Sequence, residues 1–219
     1  MSVTRTPYKP PPDGPVKCVY VDSHLLVVDK PYGLLSVPGR GPEKRDCLEA
    51  RVRKVYPEAL TVHRLDMETS GLVLFARSPD IQRALSRQFE RRQISKCYTA
   101  CVAGRLSETD GIVDAPLMAD WPNRPLQKIC ADGKPAKTRW IVTNRAAKTT
   151  RLKLVPVTGR THQLRLHMAS IGHPILGDTL YGHRSAKAMS HRLALHATSL
   201  CFEHPADNHR VDVYSSPPF

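Results

Sequence analysis

The stretch "VHRLDMETSGLVLFARS", residues 62–78, sets two carboxylates, Asp66 and Glu68, between a His-Arg pair and an apolar run. "GLVLFARS" reads as a buried strand, and Thr69, Ser70 and Gly71 shape the turn that leads into it. A carboxylate at the mouth of a buried strand is a frequent place for a catalytic group. Spacing alone leaves two other roles open for Asp66, capping the turn or pairing with Arg64. Glu68 reads as a solvated turn residue.

Upstream, "RDCLEARVRKVY" (45–56) brings Leu48, Val52 and Val55 to helical spacing, and Pro57 ends the element. Before it lies a loop, "LLSVPGRGPEK", and before that "VKCVYVDSHLLVVDKPYG" (16–33). This predicts two short strands around Asp22-Ser23, closed by Pro31 and Gly33. Residues 1–15 are rich in Pro and polar groups and read as a loose tail.

Downstream, "SPDIQRALSRQFERRQ" (78–93) opens with a Ser cap and Pro79 in the first turn, with Ile81, Leu85 and Phe89 along one face. "ISKCYTACVAG" (94–104) alternates as a strand does. Residues 112–157 read as several strands split by turns, "DGKPAK" among them. "GRTHQLRLHMASIGHP" (159–174) returns to helix, with Leu164, Met168 and Ile171 inward and Gly172 as the stop. "LALHATSLCFEH" and "RVDVYS" are late strands. Strands outnumber helices and no βαβ rhythm persists. The expected fold is therefore α+β: a single domain over residues 16–219, with a mixed, largely antiparallel sheet flanked by helices.

Among 219 residues, 33 Lys plus Arg stand against 20 Asp plus Glu, a formal net charge of +13. Such an excess favours a polyanionic partner, nucleic acid above all, although a basic chain without that role has the same composition. The charge is also clustered. Residues 121–165 hold eleven Lys or Arg against Asp132 alone, and residues 81–106 hold six against Glu90 alone. From Asp178 onward the two signs balance, so the excess lies in two segments, as a binding footprint would.

No apolar run approaches the roughly 18 residues of a membrane span. The N-terminus has no apolar core of a secretory signal. A cytoplasmic protein without membrane attachment is expected. Six cysteines show no CxxC pair, which suits reduced thiols, and ten histidines form no HExxH or Cys/His ligand framework. No metal or other cofactor is expected.

Two further segments carry polar side chains of interest. On the proposed helix His162 and Arg165 share a face, and Arg160 sits near its start, where backbone N–H groups favour anions. These are either solvated basic residues or fixed cations beside RNA and an ionised carboxylate. Tyr98, in "SKCYTACV", is a core or cross-strand residue, or else a stacking platform for an unstacked base.

Taken together, these segments resemble the RluA-type pseudouridine synthases. "VHRLDMETSGLVLFA" is similar to that family's HRLDxxTSGLLL signature, and "DKPYGLLSVPG" to its first motif. "KCYTACVAG" resembles its tyrosine motif and "TGRTHQLRLHM…GHPILGD" its C-terminal one. All four stand in the family's order across residues 18–205. "DWPNRPLQKIC" with "GKPAKT" resembles the dual-specificity branch, which modifies both 23S rRNA and tRNA. As in that branch, no S4-like RNA-binding domain precedes the first motif. One departure is Asp29, where the family's pattern leads one to expect Asn before Lys-Pro.

The resemblance implies roles. Asp66 would be the catalytic aspartate, Tyr98 the active-site tyrosine and Arg165 the basic partner of the aspartate. Arg64 would help open the RNA and place the uridine. His63, Lys96, Arg124, Lys128, Arg160 and His162 would contact RNA. The implied partners are structured RNAs, a 23S rRNA hairpin and a tRNA anticodon stem-loop, bound by a monomer. Uridine isomerisation changes neither composition nor redox state, so it requires no cofactor. Two other readings compete: a metal-dependent RNase built on Asp66, Glu68 and a histidine, and a non-catalytic RNA-binding module for which Asp66 is dispensable.

Overall fold

The computed structural model describes residues 7–219. Along the chain come β1 (Cys18–Val21), β2 (Leu25–Lys30), α1 (Leu48–Arg53), β3 (Leu60–Thr61), β4 (Ser70–Ala76), α2 (Pro79–Glu90) and β5 (Ser95–Ala103). Then follow β6 (Asp110–Asp114), β7 (Leu117–Ala119), β8 (Gln127–Ile129), β9 (Lys137–Arg145) and β10 (Thr149–Pro156). The last elements are α3 (Gln163–Ser170), α4 (Arg184–Ala188), β11 (Leu195–Glu203) and β12 (Arg210–Tyr214). These elements fall into two compact units, one of residues 7–96 with 196–218, the other of 97–195 with Phe219. Both are built mainly on antiparallel strands, so the chain is α+β as expected.

In the first unit β4 is the central strand, and every one of its residues is buried. β2 lies antiparallel to it, with Asp29 opposite Leu72, and β1 pairs β2 in turn. On the other edge β11 runs parallel to β4, His196 opposite Ser70, and β12 closes a hairpin with β11. Gly71 makes that parallel contact possible. Its φ is 111°, and a Cβ there would lie 2.3 Å from the Ala197 carbonyl oxygen. Leu72, Leu74 and Ala76 form a core with Leu25, Val27, Leu200, Phe202, Val211 and Val213. α2 lays Leu85 into it, with Ile81 and Phe89 packed alongside, as its spacing predicts. Ser78 caps this helix by accepting from the Ile81 N–H.

The chain before β1 departs from the expected loose tail. Residues 1–6 of that segment lie outside the described residues, but from Tyr8 on it is tied to the first unit. The Tyr8 hydroxyl donates to the Asp46 carbonyl at 2.9 Å and accepts the Leu35 N–H at 3.1 Å. Arg51, buried and paired with Asp46, holds the Pro11 and Pro12 carbonyls. Proline carries no N–H but keeps its carbonyl, so a proline-rich strap can still be held by an arginine. Val55, expected on the inner face of α1, lies beyond the helix end and is exposed.

The second unit is a meander in the order β5-β10-β9-β6, all antiparallel, with β7 and β8 as a separate hairpin. Leu152 and Leu154 of β10 are fully buried, and Leu154 lies opposite Tyr98. α3 begins later than the sequence suggests. His162 is its N-cap, in the left-handed conformation with φ 55°, so it does not share a helical face with Arg165. Leu164 and Met168 are buried as expected, whereas Ile171 follows the last turn and is partly exposed. Gly172, at φ 82°, ends the helix.

Candidate active site

The turn that carries Asp66 is held from beneath by two buried side chains of the first motif. Lys30 is fully buried, and its Nζ donates to three carbonyls: Pro31 at 3.0 Å, Leu34 at 2.7 Å and Met67 at 3.0 Å. An ammonium has three N–H donors, so three acceptors match it. Ser36 completes the grip by donating to the Leu65 carbonyl at 2.7 Å and accepting the Leu65 N–H at 3.0 Å. The turn closes on itself through Thr69 N–H to the Asp66 carbonyl, 3.1 Å, and Met67 also accepts from Gly33 N–H at 3.0 Å. Asp66 is thereby flanked on both sides by pinned backbone. Replacing Lys30 by Met strips the donor from three carbonyls, and urea unfolding should show a loss of about 2–4 kcal/mol. Unchanged stability would mean that the lysine does not organise the turn.

Behind the turn runs a chain of hydrogen bonds. Ser70 lies 2.8 Å from His196 Nδ1, His196 Nε2 lies 3.1 Å from the Ser215 hydroxyl, and Ser215 donates to Asp29 at 2.7 Å. Because Ser215 spends its proton on Asp29, it accepts from His196 Nε2–H, and Nδ1 then accepts from Ser70. Asp29 also pairs with Lys17 at 2.8 Å. The Asp in place of the expected Asn therefore terminates a buried relay and pairs with a cation.

His63, two residues before Leu65, faces the protein. Its Nε2 accepts the Leu74 N–H at 3.0 Å and its ring lies 4.7 Å from that of Phe89. Burial, assisted by the nearby Lys96 charge, brings its pKa down to about 3. It is neutral at physiological pH and offers a phosphate no charge. Lys96 stands 5.5 Å above Phe89, with its own pKa lowered by burial. Arg64 is exposed beside the turn.

In the second unit Arg165 is 2% exposed and forms a two-point pair with Asp178, which is 0% exposed. Nε lies 2.9 Å from Oδ2 and Nη2 2.7 Å from Oδ1. Oδ1 also accepts the Leu180 and Tyr181 N–H groups, at 2.9 and 3.0 Å. Burial alone would push the Asp178 carboxyl up, but these hydrogen bonds and the Arg165 charge bring it below its ordinary value. The guanidinium plane of Arg165 is thus fixed, its Cζ 5.6 Å from the Tyr181 ring. Tyr98 is half-buried on β5, on the same face as Ala100 and Val102.

The β7–β8 hairpin projects the exposed Trp121, with the Arg124 guanidinium stacked 3.2 Å from its ring centroid, and the exposed Lys128 follows. Arg160 is exposed and donates to the Pro135 carbonyl at 3.1 Å. Its backbone N–H is taken by Gln163, whose buried amide also reaches Thr158, Lys137 and Thr138. The loop before α3 is thus held by one glutamine side chain.

Among the described residues, His204, Asp207 and His209 have spacing that could suit a metal ion. Their atoms are engaged with one another and with Asp22. His204 Nε2 lies 3.0 Å from Asp22, its Nδ1 3.0 Å from Asp207, and His209 Nδ1 2.6 Å from Asp207. They read as an ion-pair cluster that fastens the β11–β12 hairpin to the β1–β2 turn. Asp178, Tyr181, Lys30, Ser36, His196 and Gln163 were not singled out by sequence. The first two lie in "GHPILGDTLYG", where only the pairing of a buried Asp with a buried Arg marks them.

The RNA pseudouridylate synthase family matches this chain over residues 24–170. The dual-specificity RNA pseudouridine synthase RluA of Yersinia pestis is 52% identical over 189 residues, 85% of this chain and 92% of that protein. The protein of the same name from Pasteurella multocida is 51% identical over 213 residues, 96% of this chain and 97% of its own length. Among solved structures, human RNA pseudouridylate synthase domain containing 1 superimposes with a TM-score of 0.80 at 28% identity, covering 95% of this chain and 87% of that one. A signature turn braced by its first-motif lysine, a fixed arginine and matches of this extent agree: the chain belongs to the RNA pseudouridylate synthase family and is an isomerase.

Proposed function

We propose that the chain isomerises loop uridines in two RNAs, a 23S rRNA hairpin and a tRNA anticodon stem-loop, as a cytoplasmic monomer with Asp66 as its essential carboxylate. The N1–C1′ bond of the uridine breaks, the base turns, and a C5–C1′ bond forms; the C5 proton leaves and N1 gains one. Asp66 acts by attacking sugar or base, or by removing a sugar proton, and each route needs it ionised. The target base must first leave its stack, at a cost of a few kcal/mol. A base stacked on Tyr98 and Arg64 in the vacated space would offset that cost. The observation that supports the dual substrate is that relatives named dual-specificity RNA pseudouridine synthases are about half identical to this chain over 85% and 96% of its length.

The test is tritium release from C5-labelled uridine in an anticodon stem-loop, an rRNA hairpin and a duplex control. Both hairpins should react at one loop uridine each, and the duplex should be inert, because only a loop already strains the stack. Activity on one hairpin alone would leave a single-substrate enzyme, and equal activity on the duplex would remove loop shape as the selector.

The surface makes a second expectation. With Trp121, Arg124, Lys128 and Arg160 all exposed, RNA affinity should fall roughly tenfold or more between about 50 and 200 mM salt. Trp121→Ala should weaken binding by about 1–3 kcal/mol through loss of a stacking face. Fluorescence anisotropy with a labelled stem-loop measures both. Salt-independent affinity would place the RNA elsewhere.

A further inference from the structure

Residues 34–36 supply the groups that brace the Asp66 turn, and they are themselves held from several sides. Leu34 gives its carbonyl to Lys30 at 2.7 Å, and Ser36 clamps both polar groups of Leu65, the residue before Asp66. The Leu35 and Ser36 carbonyls accept the Leu48 and Glu49 N–H groups at the start of α1, at 2.8 and 3.1 Å. The Leu35 N–H turns the other way, toward the chain before β1, and donates to the Tyr8 hydroxyl at 3.1 Å.

Tyr8 is well placed to hold it. Its O–H donates to the Asp46 carbonyl at 2.9 Å, which leaves its lone pairs for Leu35. Burial pushes the phenol up, so the hydroxyl keeps its proton and serves both neighbours. The chain beyond Tyr8 is fixed too. Arg51 takes the Pro12 carbonyl at 3.0 Å and the Pro11 carbonyl at 2.6 Å. Its Nε and Nη2 grip the Asp46 carboxylate at 2.8 and 2.7 Å. Prolines with φ already set lose little further freedom on being held. Pro11 Cδ lies 4.0 Å from where a Cβ on Gly33 would stand, and the Gly33 N–H donates to the Met67 carbonyl. The strap therefore meets the supports of the Asp66 turn at two points, Leu35 and Gly33.

We propose that Tyr8 is a positioning residue for the isomerisation: its hydroxyl sets the place of Leu35, and through the Ser36 clamp that of Leu65 and of Asp66 beside it. This rests on the synthase reading above, which makes Asp66 the essential carboxylate. The link is short, since one peptide unit and one serine side chain separate the Leu35 N–H from Leu65. Without the hydroxyl, the Leu35 N–H and the Asp46 carbonyl lose their partner, and the segment shifts to find water for them. A misplacement of about 1 Å at reacting groups costs about a hundredfold in rate, so even part of that shift is felt at Asp66. The exposed cations stay where they are, so RNA affinity should not follow.

The experiment uses Tyr8→Phe in the full chain, which keeps the ring and removes the hydroxyl, and it has two arms. In the first, amide hydrogen exchange is followed by NMR without RNA. The Leu35 and Leu65 amides should each exchange about tenfold faster in the variant, while those of β4 change by less than about twofold. Faster exchange at Leu35 with Leu65 unchanged would overturn the link, and so would an equal rise across β4, which is general loosening. In the second arm, single-turnover tritium release and affinity are measured with an anticodon stem-loop. Tyr8→Phe should lose about five- to twentyfold in rate at saturating enzyme, with affinity within about twofold of wild type. An unchanged saturated rate, or a loss that falls on affinity, would overturn the proposal even where the wild type isomerises the RNA. Adding Tyr8→Phe to Ser36→Ala should slow the reaction by no more than about twofold beyond Ser36→Ala alone. Losses that multiply would mean that Tyr8 does not act through the clamp. A wild type that shows the exchange pattern and turns over no RNA would count against the synthase reading instead.

Discussion

Asp66→Asn is expected to abolish isomerisation, by at least about a hundredfold under single-turnover conditions, while RNA affinity and melting temperature stay close to wild type. The two side chains are nearly isosteric. The features that pin the turn are backbone contacts: Lys30 on the Met67 carbonyl, Ser36 on both polar groups of Leu65, and Thr69 N–H on the Asp66 carbonyl. The amide leaves all of these backbone contacts in place. What the amide lacks is the capacity to serve as nucleophile or base. Tritium release with saturating enzyme, filter binding and thermal melting separate the three quantities. Residual turnover within tenfold of wild type would remove Asp66 from the chemistry.

The second large effect concerns the buried pair. Arg165→Met should leave Asp178 as a buried carboxylate without its cation and reduce stability by about 3–5 kcal/mol. Asp178→Asn should cost a similar amount by stranding the guanidinium. Because folding lowers the Asp178 carboxyl, its contribution is complete above the unfolded value and is lost as pH falls through the lower folded one. The difference between wild type and Asp178→Asn should therefore shrink in acid. Arg165→Met/Asp178→Leu replaces the pair by apolar groups and should recover much of the stability. If Arg165 serves the reaction, the double variant is stable and inactive. Activity restored along with stability would confine the pair to a structural role.

How much of this was legible beforehand depended on how local the signal was. β4 and α2 were readable because their hydrophobic pattern is complete within one segment, and the Ser78 cap and Pro79 mark where α2 starts. The Asp66 turn was readable because its residues are contiguous. The brace beneath it was not, since Lys30 acts on Met67 across 37 positions and Ser36 on Leu65 across 29. A lysine after a strand looks like any solvated lysine until its depth is known. The start of α3 was misplaced because nothing in the sequence marks a left-handed histidine. The ring of that histidine meets the Tyr181 hydroxyl, 19 residues further along the chain. The strap at residues 8–13 was missed because composition reports the lack of internal structure and not the arginine waiting to hold its carbonyls.

The central claim is that this chain converts loop uridine to pseudouridine through Asp66. Its most direct test uses unmodified transcripts of an anticodon stem-loop and an rRNA hairpin, incubated with purified protein, treated with the carbodiimide CMC and read by reverse transcription. Wild type should leave one alkali-resistant stop at a loop uridine in each RNA with the RNA mass unchanged, and Asp66→Asn should leave none. No stop with active, folded wild type on either RNA, or the same stop with Asp66→Asn, would contradict it.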